Sequence, residues 1–122
     1  MLEKLSKVTK AAIDEFQADK KLRDTLTSAF KVMLDFYGLE LLQDEQRILK
    51  IARKSTFNAR RRHWLTPANH NFLRITRILK ALSLLGLHAH AQAFLRCLTE
   101  VYEEHGTLIG TESFNYWRSA VL

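Results

Sequence analysis

The chain has 122 residues, 47% of them hydrophobic and 26% charged, which fits one globular domain with a single core and excludes a disordered chain. Its one cysteine, Cys97, has no partner within the chain, which excludes a disulfide-framed secreted fold and favours a reducing compartment. The net charge is +6, and the positive charge is concentrated in residues 46–99, which hold 11 Lys or Arg and no Asp or Glu. This concentration favours an acidic partner.

The N-terminal third is predicted to be helical, because the chain has one Pro and four Gly and lacks strand-type alternation. A leading helix is expected at Leu5–Phe16. Asp19 is expected to be the N-cap of a second helix, which Gly38 ends. The second helix places six apolar residues on one side: Leu22, Leu26, Ala29, Phe30, Met33 and Tyr37.

Two short segments follow. Asp44–Lys54 is predicted to be a helix with Ile48 and Ile51 inward, because acids in its first turn and bases in its last complement the helix dipole. Two alternatives stay open for Ser55–Trp64. The segment forms either a short helix that begins at a Ser cap, or a basic loop anchored by its two aromatic residues, Phe57 and Trp64. We favour the short helix for this segment.

The longest predicted helix starts at Thr66-Pro67, since Thr can cap a helix and Pro is tolerated in its first turn, and it runs to Leu85 before Gly86. At about 100° per residue, its broad apolar face comprises Phe72, Ile75, Ile78, Leu79, Leu82 and Leu85. Leu73 and Leu84 emerge on the opposite face beside Arg77. Apolar groups on both faces predict two packing partners, so the segment Asn69–Leu87 is expected to be the central buried helix.

The C-terminal third is predicted to form two more helices. His88–Glu104 follows the tight joint Gly86-Leu87 as an antiparallel neighbour of the central helix, with apolar residues Ala91, Phe94, Leu95, Leu98, Val101 and Tyr102. A short last helix begins at Gly110 or Thr111 and turns Phe114, Trp117 and Val121 inward. The fold class is therefore predicted to be all-α, a single compact bundle of five to six orthogonal or antiparallel helices over residues 1–122.

Several segments of the chain resemble the opioid growth factor receptor conserved domain. They are Met33-Leu34-Asp35-Phe36-Tyr37-Gly38-Leu39, Trp64-Leu65, the run Asn69-His70-Asn71-Phe72-Leu73-Arg74-Ile75-Thr76-Arg77-Ile78-Leu79-Lys80, Leu84-Leu85-Gly86-Leu87, Ala91-Gln92-Ala93-Phe94, and Phe114 with Tyr116-Trp117. Their order is specific, and the resemblance extends over about residues 16–121.

This resemblance implies a compact helical domain, found in animal receptors for an enkephalin-type growth-inhibitory peptide and in small microbial proteins without an assigned role. Members of the family usually carry an upstream His-Asp-Tyr-Ile-Gln-Trp-like block and then Leu-Phe-Pro-Leu, which this sequence does not contain. It also lacks the C-terminal repeats of the animal receptors. The chain is therefore expected to correspond to the second half of the domain, and a peptide-receptor activity does not follow from the resemblance.

The candidate ligand- or partner-binding residues are Trp64, Asn69, His70, Asn71, Arg74 and Arg77. The polar run Asn69-His70-Asn71 either caps the helix start and supports the preceding loop, or forms a small pocket for an anion or carboxylate. Arg74 and Arg77 lie three residues apart and either form a fork for phosphate or carboxylate, or pair within the chain. The candidate internal acids are Asp14, Asp35, Glu40 and Glu100.

A second candidate surface is the basic run Arg60-Arg61-Arg62 with His63 and Trp64. Cations beside an aromatic ring suit phosphate contacts and base stacking, which would give weak, sequence-nonspecific binding of nucleic acid. The alternative is an ordinary solvated run. The sequence lacks a helix-turn-helix, zinc-finger or RNA-binding strand signature.

Metal binding, cofactor binding and catalysis are not predicted. His88 and His90 are two apart and would point about 200° apart on a helix, and the other histidines have no metal-ligand spacing with Cys97. Cys97 is expected to be a small buried apolar residue. The most distinctive segment is free of acids, and the chain has no glycine-rich phosphate loop and no nucleophile elbow.

The sequence thus predicts a non-enzymatic, intracellular interaction domain, cytoplasmic or, in a eukaryote, nuclear. Its basic region 46–99 would engage an acidic protein or peptide, with Arg74 and Arg77 as anchors. Weak nucleic-acid binding through Arg60–Trp64 is the alternative, and a hydrolase with an unfamiliar site is the least favoured one. No membrane span is expected, because the most apolar stretch, Ile78–Leu87, is far shorter than a bilayer requires. An apolar face left exposed by this short helical layer would favour a homodimer.

Overall fold

The structure is a computed structural model that describes residues 9–121. These residues form six α-helices and one β-hairpin: α1 (Lys10–Ala18), α2 (Lys20–Tyr37), β1 (Leu39–Gln43), β2 (Leu49–Arg53), α3 (Phe57–Arg60), α4 (Asn71–Leu84), α5 (His88–Ile109) and α6 (Thr111–Ala120). A short 3-10 turn follows α3 at Arg61–His63. The prediction of a mostly helical bundle is confirmed. The all-α class is wrong, because of the hairpin.

The first two helices are joined by the predicted cap. Asp19 accepts hydrogen bonds from the main-chain amides of Lys21 and Leu22, at 2.9 and 3.2 Å. The predicted start of α1 at Leu5 lies outside the described residues, and its end is two residues beyond Phe16. The buried side of α2 consists of Leu26, Phe30, Leu34 and Tyr37. Leu34 was not among the predicted residues, and the predicted Leu22, Ala29 and Met33 are more exposed.

The predicted helix over Asp44–Lys54 is wrong. Leu39–Gln43 and Leu49–Arg53 pair as antiparallel strands, with Leu41 opposite Ile51. The turn between them is closed by Asp44, whose carboxylate accepts a hydrogen bond from the amide of Ile48 at 2.8 Å, and Arg47 adopts a left-handed conformation with φ of 66°. Ile51 is buried as predicted, but Ile48 is 61% exposed at the tip. Strand β1 packs on α2, and β2 packs on α5.

The loop between the hairpin and α4 is partly as predicted. The short helix containing Phe57 is present as α3, although Thr56 rather than Ser55 precedes it. The predicted start of the long helix at Thr66-Pro67 is wrong, since residues 66–70 form turns and α4 begins at Asn71. Ala68 in this loop has a positive φ of 55°, which a helix cannot contain.

Helix α4 packs against both α5 and α6, so it has the two packing partners that were predicted. The predicted packing of the opposite face is wrong for Leu73, which is 56% exposed, while Leu84 is half-buried. All six residues of its predicted apolar face are buried: Phe72, Ile75, Ile78, Leu79, Leu82 and Leu85. Trp117 fixes α6 to α4 by donating a hydrogen bond from its Nε1 to the main-chain oxygen of Phe72, at 2.9 Å. Helix α5 leaves helical geometry at His105, one residue past its predicted end.

Candidate functional site

Trp64, one of the predicted binding residues, lies inside the core. Its side chain is 0% exposed and its ring is tilted against that of Tyr37, with 5.2 Å between centroids. Phe57 meets it edge-on at 6.3 Å. Trp64 therefore holds the loop before α4 onto the end of α2, and a partner at the surface would not touch it.

The polar run at the start of α4 forms one local network. The Asn69 side-chain oxygen accepts hydrogen bonds from both the main-chain and side-chain nitrogens of Asn71, each at 2.9 Å. The Asn69 amide donates to the hydroxyl of Thr66 at 2.9 Å and to the main-chain oxygen of His63 at 3.2 Å. Asn71 is 1% exposed and accepts from the Tyr37 hydroxyl at 3.4 Å. This geometry supports the interpretation that Asn69 stabilises the helix start and the preceding loop, with Asn71 as the first residue of α4.

His70 is exposed and faces a groove between α4 and α6. This groove has a volume of about 320 Å³, and Leu73 and Tyr116, which line it, are 56% and 57% exposed. Glu112 also lines it, so its carboxylate opposes the binding of an anion beside His70. Leu73 and Tyr116 are two of the exposed large apolar residues of the described chain, and the homodimer stays a prediction.

Arg74 and Arg77 differ in their surroundings. Arg74 is exposed, and no ion pair among residues 9–121 involves it, whereas Arg77 is half-buried. Burial raises the pKa of the Tyr37 hydroxyl, and the nearby charge of Arg74 opposes that rise. Asp35, one of the acids proposed to pair with these arginines, instead binds Lys54 at 2.7 Å, which holds the pKa of the Asp35 carboxyl below its usual value.

The basic run after α3 is divided between the surface and the interior. Arg60 and Arg62 are exposed, but Arg61 is half-buried with its Nη1 3.2 Å from the Nε2 of His105. Because Trp64 is buried, the stacking ring of the nucleic-acid hypothesis is not at the surface beside these arginines. Phosphate contact is what these residues can supply.

The hairpin creates a groove that the sequence analysis missed. Its tip and the sides of α2 and α5 enclose about 450 Å³. The polar lining comes from three elements: Lys31 of α2, Arg47 of the turn, and His90 and Arg96 of α5. The alternation of Leu39 and Leu41, and of Leu49 and Ile51, is a strand signal that could have predicted this hairpin.

The electrostatics of the groove beneath the hairpin are one-sided. Among its described lining residues none is Asp or Glu. Arg96 also reaches the main-chain oxygen of Leu49 at 3.4 Å, which ties α5 to β2. Burial, and then the charge of Lys31, lower the pKa of His90, whose ring meets Phe30 edge-on at 6.4 Å. The groove is therefore suited to a negatively charged ligand.

The remaining candidates for chemistry are buried or scattered. Cys97 is buried as predicted, and burial with the nearby Glu100 raises the pKa of its thiol to about 11, so it is a poor nucleophile at neutral pH. Within residues 9–121, no three His, Cys, Asp or Glu side chains are grouped so that they could hold a metal ion. Each helix in that range is too short or too polar to span a bilayer.

Comparison with known proteins identifies the family. The model of the opioid growth factor receptor (OGFr) conserved region matches residues 2–122. The chain belongs to the opioid growth factor receptor conserved-region family. The resemblance carried by Asn69–Lys80 is thus confirmed, and every groove described above lies within the conserved region.

Named proteins that are similar to this chain point to the same family. The mouse (Mus musculus) opioid growth factor receptor is 36% identical over 93 residues, which is 76% of this chain and 14% of the receptor. The mouse opioid growth factor receptor-like protein 1 is 38% identical over 79 residues, 65% of this chain and 16% of that protein. The human receptor is 35% identical over 86 residues, 70% of this chain and 12% of the receptor. The chain therefore spans less than a fifth of the length of these relatives. No solved structure matches it.

Proposed function

We propose that this conserved region is a non-enzymatic, intracellular interaction domain that binds an acidic protein or peptide through its basic surface. The observation that carries the proposal is the exposure of the cations from the acid-free stretch 46–99. Those exposed in the fold are Arg47, Lys50, Arg60, Arg62, Arg74, Lys80 and Arg96. An exposed charge of one sign that the fold leaves uncompensated attracts partners of the opposite sign and sets their rate of association.

The ion pairs of the stretch support this view. Arg53 binds Glu104 at 2.6 Å, and Lys54 binds Asp35 at 2.7 Å. Both acids lie outside the stretch in sequence, so the fold neutralises these two cations locally. The exposed cations elsewhere on the stretch retain their charge for a partner.

A non-enzymatic role is supported by the scattering of the groups whose pKa is shifted. Among the described residues, the pKa shifts of Glu104, Asp35 and Lys54 come from surface ion pairs, and those of Tyr37 and Cys97 come from burial in the core. His90 is the one such group that lines a groove, whereas catalytic sites bring several such groups together in one cleft. The intracellular location is supported by the free, buried thiol of Cys97.

Binding is tested by fluorescence anisotropy with two labelled probes, a Glu-rich peptide and a single-stranded oligonucleotide of equal net charge. We expect the peptide to bind, and its affinity to fall as salt rises. Tighter binding of the oligonucleotide, lost in an Arg60→Ala, Arg62→Ala variant, would replace the proposal with the nucleic-acid alternative. Binding of neither probe would overturn both.

The anchors are tested with an Arg74→Ala, Arg77→Ala variant and the same peptide. A loss of affinity larger than that of Arg60→Ala, Arg62→Ala would place the acidic partner at the start of α4. Equal losses would show that these two arginines are not special anchors.

A further inference from the structure

We infer that the groove beneath the hairpin is the docking site for a short acidic segment of a partner protein, with one large aliphatic side chain as its anchor. The inference rests on the proposed function, because it takes the same class of partner and assigns it a place. It differs from the anchors predicted from the sequence, since Arg74 and Arg77 do not line this groove.

The size of the groove fits a short segment of chain. Its volume of about 450 Å³ lies within the range of roughly 300–1,000 Å³ that is usual for sites that enclose a small ligand. Gln43 donates a hydrogen bond from its side chain to the main-chain oxygen of Arg47 at 3.1 Å, and Asp44 holds the amide of Ile48. These bonds fix the hairpin tip as a preformed wall.

The hairpin side of the groove is apolar and exposed. Ile48 and Leu42 are 61% and 44% exposed, and Leu41 and Leu49 beside them are half-buried. Aliphatic side chains gathered at a rigid tip are a typical place for a partner to bury one apolar residue. A partner that fills the groove would therefore need an apolar anchor side chain as well as negative charge.

The charge of the groove indicates which kind of residue should flank that anchor in the partner. Lys31, Arg47 and Arg96 converge from a helix, a turn and a second helix, and none of the described lining residues is acidic. The carboxylate of Asp44 in the turn is already bonded to the amide of Ile48. Carboxylates on both sides of the anchor would therefore meet cations on every wall.

The same lining favours a peptide over nucleic acid. Proteins bind single strands by stacking bases on aromatic rings, and none of the described lining residues is Phe, Tyr or Trp. Phosphate contacts to Lys31, Arg47 and Arg96 would remain, but bases would meet only aliphatic and polar groups.

The test measures the affinity of the full chain for a labelled peptide in which one Leu lies between two runs of Glu. An Arg47→Glu, Arg96→Glu variant is compared with a Lys10→Glu, Lys21→Glu variant, which has the same change of net charge at exposed sites outside both the groove and the acid-free stretch. We expect the groove variant to weaken binding about tenfold or more and the control variant no more than about threefold.

The apolar anchor is tested with a second matched pair, Ile48→Ser and Val32→Ser. Both positions are exposed, at 61% and 69%, but Val32 does not line the groove. We expect Ile48→Ser to weaken binding about threefold to tenfold and Val32→Ser to leave it unchanged. Circular dichroism checks that each variant is folded, and Arg47→Gln, Arg96→Gln replaces the charge reversal if that variant is not.

The outcomes separate this inference from the proposed function. Equal weakening by both charge variants, or a larger loss in the control variant, would overturn the groove as the site while acidic-peptide binding stands. A peptide with Ser in place of its Leu that binds equally well would overturn the apolar anchor. A wild-type chain that does not bind the peptide would overturn the proposed function and the inference together.

Discussion

The indole Nε1 of Trp64 donates a hydrogen bond to the main-chain oxygen of Tyr37, at 3.2 Å, deep in the core. Both side chains are 0% exposed. The bond satisfies a carbonyl at the end of α2, where the helix itself offers no partner, and it joins α2 to the loop before α4. Trp64 thus has a structural role that its position beside three arginines does not suggest.

Trp64→Phe is expected to lower the free energy of unfolding by about 2–3 kcal/mol, because it leaves the Tyr37 carbonyl unsatisfied and a cavity beside it. Urea unfolding followed by circular dichroism measures the loss. Tyr116→Phe, at a position 57% exposed, is the control and should be neutral. Unchanged stability with weakened peptide binding would instead make Trp64 a binding residue.

Gly38 is expected to be the least replaceable of the described glycines. Its φ is 78°, and a Cβ there would lie 2.6 Å from the Cα of Phe57, whereas Gly110 has a φ of 84° and open space around it. Gly110 combines its φ with a ψ of 151°, a conformation essentially restricted to glycine, so it is not a matched control. Gly106 has no positive φ, and a Cβ there would make ordinary contacts with Tyr102 from 3.6 Å. Gly38→Ala should cost about 2–4 kcal/mol from left-handed strain plus the clash, and Gly106→Ala should change stability by less than about 1 kcal/mol. Thermal unfolding of the two variants gives the comparison, and equal results would show that both strain and clash are relieved at Gly38.

Asn69→Ala is expected to destabilise the chain by about 1–3 kcal/mol, since it removes the acceptor for both nitrogens of the buried Asn71. His70→Ala, at the exposed neighbouring position, should change stability by less than about 0.5 kcal/mol. Urea unfolding distinguishes the two. A stable Asn69→Ala variant that binds the acidic peptide less well would indicate a ligand site instead of a cap.

The acidic peptide is expected to bind more tightly as the pH falls from about 7.5 to about 6, by about twofold to fivefold. Burial and Lys31 hold the pKa of His90 below its usual value, so in the free groove its imidazole favours the neutral form more than an ordinary histidine does. A carboxylate bound nearby favours the charged imidazole and raises that pKa, so binding takes up a proton.

His90 is the one histidine among the described residues that line the groove, and the other charged residues of that lining are Lys31, Arg47 and Arg96. Histidine is the side chain whose charge ordinarily changes in this pH range. Anisotropy titrations across the range should give a slope that His90→Gln abolishes. A slope that persists in His90→Gln would remove His90 from the site.

Much of the helical framework could be predicted from the sequence. The buried face of α4, the Asp19 cap and the helix ends at Gly38 and Gly86 were all correct, because they depend on residues within a few positions of one another. Helical spacing and capping chemistry are local properties, so they can be read in order along the chain.

The hairpin was not predicted, although the alternation of Leu39 with Leu41 and of Leu49 with Ile51 is a local strand signal. The charges and the Ile48 and Ile51 spacing of residues 44–54 fit a helix locally, but in the fold Leu49–Arg53 pairs with Leu39–Gln43, and Leu39 and Ile51 are buried in the core. Strand pairing depends on a second segment, so local charge patterns do not reveal it. The start of α4 was predicted too early for a similar reason. Thr66 accepts a hydrogen bond from Asn69 within a turn instead of capping a helix.

The sequence by itself determined the family, the central helix and the acid-free charge of residues 46–99. The tertiary structure alone decided which of those charges meet. Packing of the hairpin between α2 and α5 brings Lys31, Arg47 and Arg96 to one groove, although they are far apart along the chain, and it places Trp64 in the core. The number of charges follows from the composition of the chain, but a binding site also requires those charges to lie close together. Residues that are remote in sequence come close only when the core packs.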